Sequence, residues 1–327
     1  MSNNDCESYY EEPYAGKPHI RFCKGVHIAR CGFTKQRARS MREKTVSILN
    51  SLSWSIQPKM GLVKGAYYRE DGWFTPHPGD SRDFYGVLEV VSEGGKLQMV
   101  EFNEFNAPTY YIRKYQNASK RYSDYAFLQA SRERTASTHV VLVNGMTYVE
   151  EQMMRENRLD GAFDLLTGAS NSIRESMLVL AEKISVRLHT PSPQSYYGLA
   201  KAVEPGITGR LQVVTEKGKI VSCFYDEIFA DNPEEIENPE LKPYYRQSKY
   251  YSLDYVSDYP CGFNALFDMW GEHVLKCQNL MDLSGLRFSQ GEFLDKAWGN
   301  YLKVAGELWN ELLKDEVLVD KGIGEGV

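Results

Sequence analysis

The sequence predicts an α+β chain of two tandem units, each an antiparallel β-hairpin-containing sheet with a closing amphipathic helix, behind a basic N-terminal helical segment. Three observations carry this reading: a hairpin occurs twice, an amphipathic helix closes each occurrence, and a proline-bearing junction separates the two. Strands followed by helices, in place of strict alternation, mark the α+β class. The resulting boundaries are 1–60 for the basic segment, 61–190 and 191–315 for the two units, and 316–327 for a C-terminal tail.

The basic segment comes first. Residues 1–60 carry ten Lys and Arg against five Asp and Glu, while the 327-residue chain has a formal charge of -6, which leaves the remainder at -11. Thr34 to Ser53 reads as an amphipathic helix, with Met41, Val46, Leu49 and Leu52 on one face and Arg37, Arg39, Arg42 and Lys44 elsewhere. Its expected role is to pack on the body of the protein, since the apolar stripe is too slight for membrane docking.

The duplicated hairpin begins at Leu88 and again at Leu211. Val90 and Val91 match Val213 and Val214, Gly95 and Lys96 match Gly218 and Lys219, and Glu104 and Ala107 match Glu227 and Ala230. Each copy reads as two β-rich runs joined by a tight turn, Glu93-Gly94-Gly95-Lys96 in one and Glu216-Lys217-Gly218-Lys219 in the other. Downstream, Ser119-Lys120-Arg121-Tyr122 recurs as Ser248-Lys249-Tyr250-Tyr251. Ile173, Met177, Leu180, Ile184 and Leu188 mark the first closing helix; Phe293, Ala297, Tyr301, Val304 and Leu308 mark the second. Between the copies, Pro191 and Pro193 in Thr190 to Gln194 stop the preceding helix.

Composition narrows the function classes. The acidic balance argues against a chain built to neutralise nucleic-acid phosphates. No apolar run approaches the roughly 18 residues that cross a bilayer, and the polar, acidic start Met1 to Tyr14 lacks the pattern of a secretory signal, so a cytoplasmic location is expected. Six cysteines in this length do not imply a disulfide scaffold. His19, Cys23, His27 and Cys31 are metal-capable and four residues apart, but on one helix they would span about 18 Å and could converge on one ion only if the chain bent at Gly25 or Gly32. Ordinary buried Cys and His are the expectation there. Neither a nucleophile elbow nor a Walker phosphate loop is present. His77, beside Pro76 and Pro78, reads as an exposed turn residue, and Asp231 to Glu240 as a solvated acidic loop.

One segment points to chemistry. Asp164-Leu165-Leu166-Thr167-Gly168-Ala169-Ser170-Asn171-Ser172 leads small residues into a helix start, where Ser170 or Ser172 is expected as the cap. Free amides at the positive end of a helix suit a phosphate. On these residues alone an ordinary N-cap without a ligand is the default.

The string Asp-x-x-Thr-Gly-Ala-Ser at Asp164 to Ser170 resembles the flavinylation motif of the FMN-binding domain family, in tandem copies as in extracellular electron-transfer flavoproteins. The similarity covers about residues 64–188 and, more weakly, 196–313. It implies FMN as cofactor, joined through its phosphate to the Ser170 hydroxyl by a flavin transferase, with Asp164, Thr167, Gly168, Ala169 and Ser170 as the cofactor-binding residues. It also implies an electron carrier between a donor reductase and an acceptor, rather than a complete enzyme. The alternative is a non-catalytic module that binds FMN or another ligand without a covalent bond, or that meets a protein partner.

The second copy departs from the motif at Asp282-Leu283-Ser284-Gly285-Leu286-Arg287, where arginine stands at the acceptor position and cannot be esterified. That copy is expected to be a degenerate structural partner; the other outcome is an Arg287 that clasps the phosphate of a free FMN. Candidates to cover an isoalloxazine ring are Tyr67, Tyr68, Trp73, Phe74, Tyr110, Tyr111 and Tyr122. Lys120 and Arg121 read as a solvated basic patch, the alternative being that they help neutralise a phosphate.

Overall fold

The computed structural model describes residues 52–75 and 83–318. All of the described residues belong to one compact unit, within Ser47–Val327. The basic segment with His19, Cys23, His27 and Cys31, the turn with His77, and the end of the tail lie outside them. Of the helix expected over Thr34 to Ser53, only Leu52 and Ser53 are described, and neither is helical.

Six strands form one antiparallel sheet: β1 Gly61–Phe74, β2 Phe84–Glu93, β3 Lys96–Phe105, β4 Gln194–Glu204, β5 Ile207–Glu216 and β6 Lys219–Phe229, in the order β3-β2-β1-β4-β5-β6. The expected hairpins are β2-β3 and β5-β6. Their turns need a left-handed backbone at both central positions, supplied by Gly94 (φ 57°) and Gly95 (φ 76°) in one and Lys217 (φ 51°) and Gly218 (φ 74°) in the other. A third strand in each copy, β1 and β4, pairs with its counterpart, Val63 opposite Gly198, so the two copies share one sheet. Tyr67 lies opposite Val91 and Tyr196 opposite Val214, so the copies are related by an internal twofold between β1 and β4.

Helices α1 Tyr125–Ala130, α2 Glu133–Thr138, α3 Leu142–Glu156, α4 Ser170–Ser172, α5 Leu178–Arg187, α6 Phe263–Cys277 and α7 Leu294–Lys314 complete the fold, α4 running into α5 through a π-helical turn, Ile173–Met177. One face of the sheet is covered by helices, copy by copy. Leu88, Val90 and Phe102 pack under Met146, Val149 and Met153 of α3 and under Ile173, Met177 and Ile184. Leu211, Val213 and Tyr225 pack under Phe267 and Trp270 of α6 and under Tyr301, Val304 and Leu308 of α7. Gly86 and the equivalent Gly209 allow this approach: a Cβ would stand 2.1 Å from the Ser176 hydroxyl in one copy and 3.0 Å from the Val304 side chain of α7 in the other.

The opposite face is concave. Although β3 and β6 are the two edges of the sheet, the segments that leave them meet: Ser248 N–H donates to the Tyr122 carbonyl at 2.9 Å, and Lys114 pairs with Asp254 at 2.6 Å. Residues 52–60 bridge the remaining gap, with Gln57 Nε2 donating to the Phe229 carbonyl at 2.8 Å and Lys59 Nζ to the Gln98 carbonyl at 3.3 Å. The curled sheet therefore encloses space. No helix of the described residues is long and apolar enough to cross a membrane.

The basic patch expected at Lys120 and Arg121 is corrected by the structure. Both side chains are buried, Lys120 against Glu104 and Arg121 against Glu150 at 2.6 Å. Buried charge survives only when paired, and the second copy repeats the first pair as Lys249 and Glu227 at 2.5 Å.

Candidate functional site

A cavity of about 740 Å³ lies on the concave face, between the two copies. Two pairs of equivalent tyrosines bound it. Tyr67 of β1 and Tyr196 of β4 stack at 5.9 Å on the central strands, and Tyr122 and Tyr251 stack at 5.6 Å where the two sheet edges meet. Alternation along each strand puts Tyr67 on the concave face and Tyr68 on the helix side, where it joins the core. Trp73, 59% exposed, and Tyr85 pack together at 5.1 Å as part of the same lining. Of the aromatic candidates, Tyr67, Trp73 and Tyr122 line the cavity; Phe74, Tyr110 and Tyr111 do not.

The two tyrosine pairs repeat in both copies, whereas each charged group of the lining stands in one copy alone. Arg210 occupies the position equivalent to Val87, Glu89 that of Gln212, Glu101 that of Phe224, and Asp226 that of Asn103. The fold repeats without these charges in one copy or the other, so folding alone does not demand them. Arg210 Nη1 donates to the Tyr122 hydroxyl at 3.0 Å, that hydroxyl donates to Glu101 Oε1 at 2.7 Å, and Arg210 Nη2 stands 2.8 Å from Glu101 Oε2. Glu101 and Arg210, with Tyr196, also line a second cavity of about 390 Å³ and so stand between the two.

Glu89 and Glu101 are directly opposed on β2 and β3 and share the concave face. Like charges so placed repel; Arg210 pairs with Glu101 at 2.8 Å, while Glu89 lies opposite Arg69 of β1 and accepts from the Tyr67 hydroxyl. Burial raises the Glu101 carboxyl, but the charges of Arg210 and Arg121 and the bonds from Tyr122 and Arg210 outweigh it and hold the group below the usual carboxylate range. Burial and the neighbouring Glu101 charge push Glu89 up, against the Tyr67 hydroxyl that donates to it. Burial likewise raises Asp226 to about 7, although Ser248 and the amides of Tyr250 and Glu227 donate to it. Glu89 and Glu101, opposed on adjacent strands, are thus driven apart in their affinity for protons.

Asn106 adds the clearest sign of a missing partner. It lines the cavity at 1% exposure, and neither its Oδ1 nor its Nδ2 has a hydrogen-bond partner. An unpaired buried amide costs about 1–3 kcal/mol per group, which a ligand able to give and accept a hydrogen bond would recover.

The motif residues lie elsewhere. Asp164 and Thr167 are exposed, Ala169 is buried under Gly145 of α3, and Ser170 is half-buried at the start of α4; none lines either cavity. Gly168 takes a left-handed φ of 111°, and its carbonyl accepts from Arg134 at 3.1 Å. Ala169, and not Ser170 or Ser172, occupies the cap position, without a side-chain bond; Ser172 Oγ instead donates to the buried Glu104 carboxylate at 3.3 Å. In the second copy Arg287 is exposed, and its carbonyl accepts from Trp298 Nε1 at 3.2 Å.

Glu89, Glu101, Arg210, Asp226 and Asn106 were not identified from the sequence. The signal available was the repeated Ser-Lys-x-Tyr, which contains Tyr122 and Tyr251. Compared with protein-family models, with curated proteins and with solved structures, the chain matches none of them.

Proposed function

We propose that this chain is a small-molecule-binding protein that holds a planar heteroaromatic ligand, FMN being the first candidate, without a covalent bond in the cavity between its two copies. The observation that carries the reading is Asn106, buried and unpartnered among the paired tyrosines. Tyrosine rings offer flat apolar faces to an isoalloxazine, while Asn106, Gln212 and the Glu89 carboxyl offer edge groups that give or accept hydrogen bonds. FMN is named because of the sequence resemblance. Titration of the full chain with FMN, followed by quenching of flavin fluorescence, tests it: saturable quenching that weakens at least tenfold in Asn106→Leu supports the reading, and quenching that is absent or unchanged in that variant contradicts it.

A second reading keeps FMN esterified to Ser170 and makes the chain an electron carrier that depends on a flavin transferase, a donor reductase and an acceptor. It is favoured by the half-buried Ser170 hydroxyl at the start of a helical run, just after the left-handed Gly168. Denaturation separates the two: flavin released with the solvent belongs to the cavity, and flavin retained by the wild type and lost in Ser170→Ala belongs to Ser170.

A further inference from the structure

We propose that His273, Cys277 and Asp282 form a binding site for a zinc-class divalent cation, on the helix side of the second copy and separate from the cavity. One ligand atom from each of the three lies within 4.8 Å of the others. In a tetrahedral site with bonds near 2.0–2.3 Å, neighbouring ligand atoms are roughly 3.3–3.8 Å apart, so these atoms stand at most about 1.5 Å wider than such a site requires.

The backbone brings these groups together. His273 and Cys277 are one turn apart on α6 and share a face. Gln278 then ends the helix in a left-handed conformation (φ 61°) and fixes the turn to β6, accepting from Ile220 N–H at 2.7 Å and donating to the Ile220 carbonyl at 3.0 Å. The chain doubles back to Asp282, whose Oδ1 accepts the Ser284 amide at 2.8 Å while Oδ2 stands 3.6 Å from His273 Nε2. The Ser284 amide orients the carboxylate with Oδ2 turned toward His273. His273 Nε2 is itself buried without a hydrogen-bond partner.

The first copy shows that the fold does not require this trio. Asn157 makes the equivalent left-handed clamp, accepting from Leu97 N–H at 2.8 Å and donating to the Gly95 carbonyl at 2.9 Å, yet Gln152 and Glu156 stand where His273 and Cys277 stand. A set of imidazole, thiol and carboxylate selects zinc and its borderline neighbours over calcium or magnesium, which take oxygen alone. Three protein ligands leave a fourth position for water or an incoming molecule.

Titration of the full chain with Co²⁺ as a spectroscopic stand-in tests the assignment. The expected result is a thiolate-to-cobalt charge-transfer band with intense tetrahedral d–d absorption, displaced by Zn²⁺ and not by Mg²⁺. The band disappears in Cys277→Ser and persists in a Cys23→Ser/Cys31→Ser variant, and Asp282→Asn weakens binding at least tenfold. Circular dichroism of each variant confirms that it is folded. The absence of the band from the wild type, or its loss in Cys23→Ser/Cys31→Ser with retention in Cys277→Ser, would overturn the proposal.

Discussion

Tyr122 and Tyr251 stack with ring centroids 5.6 Å apart and planes 20° apart, although the strands that precede them, β3 and β6, are opposite edges of the sheet. The contact joins the two copies at the far side of the cavity, as Tyr67 and Tyr196 join them at its centre. Such a pair contributes about 0.5–1.5 kcal/mol beyond the area it buries. A double-mutant cycle of Tyr122→Leu and Tyr251→Leu in chemical denaturation is expected to give a coupling of that size; additive effects would remove the stack from the account of closure.

Arg210→Met removes the cation in contact with Glu101 and leaves that buried carboxylate with the Tyr122 hydroxyl and the more distant charge of Arg121. Breaking one side of a buried pair destabilises by about 3–5 kcal/mol, whereas replacing both sides by neutral groups is close to neutral. Urea unfolding at pH 7 is expected to show that loss for Arg210→Met and to recover most of it in Arg210→Met/Glu101→Gln.

Asp226 supplies a pH dependence whose sign is fixed. Its folded value, near 7, lies above the ordinary 3.8, so the fold favours the protonated form. The stability this group contributes is present below the unfolded value and is lost as pH rises toward 7, by ~4 kcal/mol at most. The first copy already carries the neutral isostere, Asn103, at the same position, where it accepts the Ser119 hydroxyl at 2.9 Å. Asp226→Asn is expected to fold and to flatten the plot of unfolding free energy against pH over that interval; an unchanged slope would place the titration elsewhere.

Gly209→Ala is expected to destabilise by about 1–3 kcal/mol, since its Cβ would meet the Val203 side chain at 2.8 Å and the Val304 side chain at 3.0 Å, and β-branched residues turn away with difficulty. Thermal unfolding checks this. A neutral result would mean that α7 slides freely on the sheet.

The hairpins and closing helices were legible because period-2 and period-3.6 patterns and turn glycines are local signals. The helices α3 and α6 carried a signal of the same strength that was not taken up: Leu142, Met146, Val149 and Met153 have the same spacing as Phe263, Phe267, Trp270 and Val274. The central strand β1 was harder to read, because Arg69, Asp71 and Trp73 alternate with Glu70, Gly72 and Phe74 and give no clean apolar face. Burial of Lys120 was not legible at all, since its partner Glu104 lies 16 residues away and only the register brings them together. The cavity was hidden for the same reason. Glu89, Glu101 and Arg210 converge from three strands, and nothing near any one of them in sequence marks it as facing inward.

Mass measurement of the full chain isolated from its own cells, under native and then denaturing conditions, tests the central proposal most directly. The account predicts a mass above that of the bare polypeptide in the native spectrum, its loss on denaturation, and its absence from native Asn106→Leu. A bare native mass, or an excess that survives denaturation and vanishes in Ser170→Ala, would contradict it.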